Sequence, residues 1–119
     1  MTIAANDPRS LLPLSASAFY ILLALADCDR HGYSMAKEVE TATGGAVRLG
    51  PGTLYRVIKQ MVVDGWIQEI ERTDPEDPRR RYYRLTPWGR RIASAEAERL
   101  AEVVRVARSR HLLPALAGA

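Results

Sequence analysis

The sequence predicts a mainly α-helical fold with one small β-hairpin (an α+β arrangement), followed by a long C-terminal helix. Three observations support this prediction. A segment near the middle of the 119-residue chain repeats apolar residues with the 3.6-residue period of a helix. Two segments then flank a turn that contains two prolines, and the second of them is rich in β-favouring tyrosine. The last third of the chain shows apolar residues at heptad spacing.

The first helix is expected after a short arm. Residues 1–13 lack apolar periodicity and contain two prolines, which predicts a flexible or loosely docked N-terminal arm. Ser15 is a typical N-cap, and the segment from there to about Asp27 is apolar nearly all round. This pattern predicts a central core helix.

A second helix is predicted over about Ser34–Thr43, with Ser34 as its N-cap and Lys37 in its first turn. Two glycines after Thr43 end the helix. Residues 46–49 then predict an extended segment that can form a short edge strand.

The third helix is predicted to bury one face and to expose a cationic one. Pro51 suits the first helical position, and Asp64-Gly65 ends the helix. The buried face is predicted to carry Leu54, Ile58, Met61 and Val62. The opposite face carries Thr53, Tyr55, Arg56 and Lys59. A helix N-terminus with bare backbone N–H groups among cations suits a phosphate backbone.

A β-hairpin is predicted next, with strands over Ile67–Arg72 and Arg79–Leu85. The turn between them contains Asp74, Glu76 and Asp77, which predicts an acidic leading edge. Three helices followed by such a hairpin predict a winged helix-turn-helix, in which the third helix lies in the DNA major groove.

The distribution of charge agrees with an anionic partner. The net charge is only +3, but no acid lies between Glu40 and Asp64, or between Asp77 and Glu96. The second window holds six arginines. Segregated positive charge of this kind predicts contact with DNA phosphate or with the minor groove. The hairpin residues that are candidates for it are Arg79, Arg80 and Arg81. Alternatively, these arginines pair with Asp74 and Asp77 across the hairpin.

One long helix is predicted from Thr86 to about Leu113, opened by a Thr-Pro cap. Its apolar residues alternate spacings of four and three, which is a heptad seam and predicts a homodimer formed by coiled-coil-like packing. The seam residues are Ala93, Ala97, Leu100, Val104 and Ala107, with Val103 beside them. The chain is thus expected to consist of an arm over 1–13, a winged helix-turn-helix domain over 14–85 and a dimerisation helix over 86–117.

Other function classes find little support. The sequence has no Gly-rich phosphate loop, no convincing nucleophile–base pair and no cluster with metal-ligand spacing. The single cysteine, Cys28, excludes an internal disulfide. No segment has the length and apolarity of a signal peptide or a membrane span. We therefore expect a cytoplasmic protein that is not an enzyme, needs no cofactor and does not interact with a membrane.

Several motifs, taken together, resemble the PadR-like transcriptional regulators. The matching residues are His31-Gly32-Tyr33 before the second helix and Leu49-Gly50-Pro51-Gly52-Thr53-Leu54-Tyr55 at the start of the third. Asp64-Gly65-Trp66-Ile67, Arg80-Arg81-Tyr82-Tyr83-Arg84-Leu85-Thr86 and Gly89 follow in the expected order. The resemblance covers about residues 15–90, and the single C-terminal helix is similar to that of the short subgroup.

The resemblance implies a repressor that binds a palindromic operator as a homodimer and is released by a small hydrophobic effector. Leu100 stands where some short members place the aromatic residue that contacts the effector. The predicted DNA-binding residues are Ser34, Lys37, Pro51, Thr53, Tyr55, Arg56, Lys59, Arg79, Arg80 and Arg81. The predicted effector pocket consists of Trp88, Ile92 and Leu100.

Two alternatives remain open at this point. The chain could be a winged-helix adaptor that binds another protein without sequence-specific DNA binding. The aromatic residues could stack on bases, although core and hairpin packing is the preferred interpretation; they are Tyr33, Trp66, Tyr82, Tyr83 and Trp88.

Overall fold

The computed structural model describes residues 6–116, which form four α-helices, a three-stranded sheet and one short 3-10 helix. The predicted α+β class is confirmed. In chain order the elements are the 3-10 helix Pro8–Leu11, α1 (Ala16–Leu25), β1 (Arg30–His31), α2 (Gly32–Ala42), α3 (Pro51–Val63), β2 (Ile67–Ile70), β3 (Tyr82–Leu85) and α4 (Pro87–Ser109).

Helix α1 is the centre of the core, as predicted. It begins at the expected cap, where the Ser15 hydroxyl accepts a hydrogen bond from the Ala18 N–H at 3.1 Å. It contacts α2, α3, α4 and β3. Its buried residues are Ile21, Leu22, Ala24 and Leu25. The helix is not enclosed on every side, however, because Leu23 is exposed.

The sheet contains a strand that sequence patterning missed. β1 pairs with β3, and β3 pairs with β2, giving an antiparallel sheet of order β1-β3-β2. His31 lies opposite Tyr82 in the first pairing, and Ile67 lies opposite Leu85 in the second. The edge strand expected at 46–49 is wrong, since this segment is irregular and the edge is formed by Arg30–His31 instead.

The cap of α2 also differs from the prediction. The helix begins at Gly32, two residues earlier than expected, and its N-cap is His31 rather than Ser34. The Nδ1 atom of His31 accepts a hydrogen bond from the Ser34 N–H at 3.2 Å. A neutral imidazole nitrogen thus takes the part that a serine oxygen usually has, and burial lowers the pKa of His31, which favours this neutral form.

The third helix begins at Pro51 as predicted, with Leu54, Ile58 and Met61 buried. Val62, expected on the same face, is exposed instead. Helix α4 begins after the predicted Thr86 cap but ends at Ser109, four residues before the expected end. The strands β2 and β3 are shorter than predicted, so that Arg79, Arg80 and Arg81 precede β3 rather than forming its first half.

The described part of the N-terminal arm lies against the last helix. The 3-10 helix Pro8–Leu11 contacts α4, and Asp7 caps it by accepting from the Arg9 N–H. Beyond it, the Leu14 N–H donates to Oε2 of Glu96 at 2.7 Å. Glu96 is buried on α4, and the hydrogen bond from Arg99 is the main reason that its pKa is lowered. This buried carboxylate joins the arm to α4.

Candidate nucleic-acid interface

The exposed face of α3 offers cations that form no salt bridge with the part of the chain that the structure describes. Tyr55, Arg56 and Lys59 are exposed, as is Pro51 at the start of the helix, whereas Thr53 is half-buried. Among residues 6–116, neither Arg56 nor Lys59 forms a salt bridge. Because no carboxylate of the described residues competes for them, both side chains are available to meet an anion.

Tyr55 is held in place by the first residue of α2. A Cβ atom built on Gly32 would lie 2.9 Å from both Cε1 and the hydroxyl oxygen of Tyr55, closer than real contacts allow. The glycine therefore lets the tyrosine ring cover the start of α2. The Tyr55 ring, which α3 carries, therefore lies close to the N-terminal end of α2 and keeps its hydroxyl there.

The two predicted residues of α2 have different surroundings. Lys37 is exposed, and within the described chain it forms no salt bridge. Ser34 is half-buried, and its hydroxyl accepts from Nη1 of Arg30 at 3.4 Å. Arg30 in turn donates from Nε to the Ala24 carbonyl at 2.6 Å. Ser34 thus belongs to a network that ties β1 and α2 to the end of α1.

The hairpin, hereafter the wing (residues 71–81), is organised by a buried acid rather than led by an exposed one. Asp74 is only 6% exposed, which corrects the predicted acidic edge at this residue. Its Oδ1 atom accepts from the Glu76 N–H at 2.8 Å. Its Oδ2 accepts from the Tyr82 hydroxyl at 2.8 Å and from Arg80 Nη1 at 3.1 Å. These hydrogen bonds, that from the Glu76 N–H above all, hold the pKa of Asp74 well below its usual range.

The three consecutive arginines of the wing are all paired within the chain. Arg79 meets Asp77 at 3.3 Å, Arg80 meets Asp74 at 3.1 Å, and Arg81 meets Glu69 at 3.3 Å. The pairing with Asp74 and Asp77 that the sequence left open is therefore present for Arg80 and Arg79, whereas Arg81 has a different partner. Sequence reasoning missed Asp74 as the organising residue and Glu69 as a partner, because both pairings depend on how the hairpin closes.

A row of aromatic rings connects the wing to α2. Tyr82 meets His31 edge to face at a centroid distance of 5.2 Å, and His31 stacks on Tyr33 at 6.4 Å. Tyr82 and Tyr83 are buried, as expected of hairpin packing. Tyr33 is 66% exposed, so the prediction that it packs in the core is wrong. It stands at the start of α2, where a ring held on only one side remains open to a ligand.

The first half of α4 is fixed to the domain, while its second half is largely uncovered. Gly89, Ile92 and Glu96 are buried, and the large apolar residues that α4 exposes are Val103, Val104 and Val106. Of the other predicted seam residues, Ala93, Leu100 and Ala107 are half-buried and Ala97 is exposed. Of the predicted effector residues, Trp88 is half-buried and Ile92 is part of the core.

Neither a membrane span nor a metal site is found in the described chain. Between residues 6 and 116, no helix is long and apolar enough to cross a bilayer. Over the same residues, no group of three or more His, Cys, Asp and Glu side chains could hold a metal ion.

The three helices and the antiparallel hairpin that follows them define a winged helix-turn-helix protein. The sequence of residues 21–95 matches the model of the family described as "Transcriptional regulator PadR-like family". This match covers more than half of the chain. The chain therefore belongs to the PadR-like family of transcriptional regulators.

Two proteins of related sequence align with this chain over 83 residues. One is a 37.1 kDa protein in a transposon of Streptomyces fradiae, with 35% identity over 70% of this chain and 22% of that protein. The other is "protein X" of Lysinibacillus sphaericus, with 28% identity over 70% of this chain and 76% of that protein. The chain thus spans less than a quarter of the Streptomyces relative.

Solved structures share the fold. A PadR family transcription regulator from Clostridium difficile is 23% identical, with a TM-score of 0.68 over 80% of this chain and 97% of that one. A transcriptional regulator from Clostridium thermocellum is 24% identical, with a TM-score of 0.66 over 85% and 93%. The PcaV regulator of Streptomyces coelicolor, solved with its natural ligand, is 23% identical, with a TM-score of 0.66 over 86% and 64%.

Proposed function

We propose that this protein is a transcriptional repressor that binds a palindromic operator as a homodimer. The observation that carries the proposal is the exposed face of α3, where Arg56 and Lys59 have no intrachain salt bridge among residues 6–116. In a winged helix-turn-helix this helix enters the major groove. Arg56 and Lys59 would contact phosphates or guanine edges, and Thr53 and Tyr55 would donate hydroxyl groups to the backbone.

The proposal is tested by a gel shift of the DNA upstream of the protein's own gene at two salt concentrations. We expect binding that weakens steeply with salt, because each neutralised phosphate contributes about −0.9 to the slope of log K against log salt. A random duplex of equal length serves as the control and should bind more weakly. Failure to bind the upstream DNA even at low salt would contradict the repressor and would favour the adaptor.

The dimer is proposed to form along α4. Val103 and Val104, beside and on the predicted seam, are exposed apolar residues that the described chain does not cover, and Leu100 precedes them by about one turn of the helix. Packing two such helices would place the recognition helices of the two protomers about one DNA turn, ~34 Å, apart. The way in which the two α4 helices pack would then set the distance between the two half-sites of the operator.

Leu100→Asp should convert the dimer to a monomer, because a carboxylate on each helix would be buried at the seam without a partner. Sedimentation velocity measures the change directly. Val106→Asp is the matched control, since it introduces the same charge on an apolar residue of α4 that lies off the predicted seam. A dimeric Leu100→Asp protein would show that the seam was assigned to the wrong face.

An effector is proposed to act on the same helix. Trp88 and Leu100 are half-buried on α4, whereas Ile92 is fully buried in the core. A small hydrophobic molecule that bound better to one spacing of the two protomers would shift the population away from the DNA-binding form. Its addition would then release the protein from DNA.

A further inference from the structure

Arg80 and Arg81 of the wing differ in how firmly their carboxylate partners hold them. Arg80 binds Asp74, which is nearly buried and accepts three further hydrogen bonds, from the Glu76 and Asp77 N–H groups and the Tyr82 hydroxyl. Withdrawing Arg80 would remove a cation from that buried carboxylate, at a large cost. Arg81 binds Glu69 instead, and these two side chains are 70% and 45% exposed. An exposed pair of this kind is weak and easily exchanged.

Arg81 also borders a cleft that separates the wing from the starts of α2 and α3. The cleft has a volume of about 570 Å³, and its lining includes Tyr33, Tyr55, Arg79, Arg81 and Tyr83. Asp77 lines it as well, but that carboxylate is occupied by the N–H and Nε of Arg79. Three tyrosines and three arginines, Arg80 among them, therefore surround a solvent-open space next to the start of α3.

The exposed tyrosines of the cleft, Tyr33 and Tyr55, are positioned by the protein itself, without a ligand. Tyr33 is stacked on His31, which Tyr82 supports from the sheet. The ring of Tyr55 lies against Gly32. Both rings are exposed. A tyrosine hydroxyl that is fixed by its ring but open to solvent is suited to donate to a phosphate oxygen.

From this geometry we infer that the cleft binds a phosphate of the DNA backbone, that Arg81 and Tyr33 are its donors, and that Glu69 competes with the phosphate for Arg81. The inference rests on the proposed DNA-binding function. When DNA binds, Arg81 leaves Glu69 and turns to the phosphate, while Arg80 remains on Asp74. Glu69 thereby lowers the affinity for every duplex and makes weak, non-specific binding less favourable.

A double-mutant cycle tests the competition. Glu69→Gln should bind the upstream duplex about twofold to fivefold more tightly than the original protein, as expected for release of an exposed ion pair. Arg81→Ala should weaken binding and reduce the salt slope by about 1. In the Arg81→Ala background, Glu69→Gln should no longer tighten binding, because there is no arginine left to release.

Glu71→Gln is the matched control, because Glu71 is exposed just after β2 and forms no salt bridge in the described chain. Any general effect of removing a negative charge should appear in it equally with and without Arg81. A gain from Glu69→Gln that persists in the absence of Arg81 would overturn the competition. Loss of salt-dependent binding by the unsubstituted protein would overturn the proposed function instead, so the two failures are distinct.

Tyr33→Phe tests the second donor. The substitution keeps the stacked ring and removes only the hydroxyl, so we expect weaker binding with an unchanged salt slope, since no charge is lost. Tyr20→Phe, a half-buried tyrosine on α1, is the control for a generic loss of a hydroxyl. Equal affinity of Tyr33→Phe and the unsubstituted protein would remove Tyr33 from the site.

Discussion

A protein carrying Arg56→Ala together with Lys59→Ala should bind the upstream duplex about 10-fold to 100-fold more weakly than the original chain. A specific bidentate contact is worth about 1–3 kcal/mol, and both side chains are exposed on α3. The salt slope should also fall, by about 1 for each phosphate contact that is lost. Gel shifts at two salt concentrations give both quantities.

The fold should survive this double substitution. Leu54, Ile58 and Met61 hold α3 in the core, and the two exposed cations take no part in that packing. Alanine is the best helix former, so the helix itself should gain slightly. Sedimentation velocity and thermal unfolding should therefore match those of the original protein, which separates a loss of DNA contact from a loss of structure.

A charge-matched control is available at the other end of the molecule. Arg105→Ala with Arg110→Ala removes the same two charges near the C-terminal end of α4. Charges separated by more than about 10 Å are largely screened at moderate salt, so this variant should retain nearly full affinity. Equal weakening by both variants would mean that net charge alone drives binding. If the Arg56→Ala/Lys59→Ala protein bound DNA with unchanged affinity, the exposed face of α3 would not be the DNA-contacting surface.

The helices were predictable because their signals are local. Apolar periodicity marked α3, and the Ser15, Pro51 and Thr86 positions marked the starts of α1, α3 and α4. The third helix and its exposed cations followed from the same pattern. Local signals also explain the misplaced start of α2, since serine is a common N-cap and histidine, which caps this helix, is not.

The sheet and the wing could not be predicted in detail because their stability comes from distant partners. β1 is two residues long and exists only through its pairing with β3, more than fifty positions away. The sequence around Asp74 is typical of an exposed turn, but in the folded hairpin Tyr82 and Arg80 donate hydrogen bonds to Asp74 and cover it. Likewise, the exposure of Tyr33 depends on where His31 directs its ring. These contacts are set by the closed hairpin, which leaves no periodic trace in the sequence.

The junction between the domain and α4 is the place where a single methyl group should have the largest effect on stability. A Cβ atom added to Gly89 would lie 1.9 Å from the carbonyl oxygen of Trp66 and 2.9 Å from Cδ1 of Leu85. That carbonyl is not free to move, because it already accepts from the Thr86 N–H at 3.1 Å. Gly89→Ala must therefore displace the first turn of α4.

The expected cost is about 1–3 kcal/mol of unfolding free energy, as for other overpacked sites, and it acts against a helix propensity that favours alanine by about 1 kcal/mol. Urea unfolding measures this free energy. The protein concentration must be held fixed, because the stability of a dimer depends on concentration. The midpoint should fall well below that of the original protein.

Gly52→Ala provides the matched control, since Gly52 lies in the first turn of α3 and a Cβ there meets nothing within 4 Å. The same glycine-to-alanine change should leave stability unchanged or raise it by about 0.4–1 kcal/mol. If the two variants unfolded at the same urea concentration, α4 would not be seated on the Trp66 carbonyl. Because α4 is also the proposed dimer helix, a destabilised Gly89→Ala protein should in addition bind DNA less well, through a changed spacing of its recognition helices.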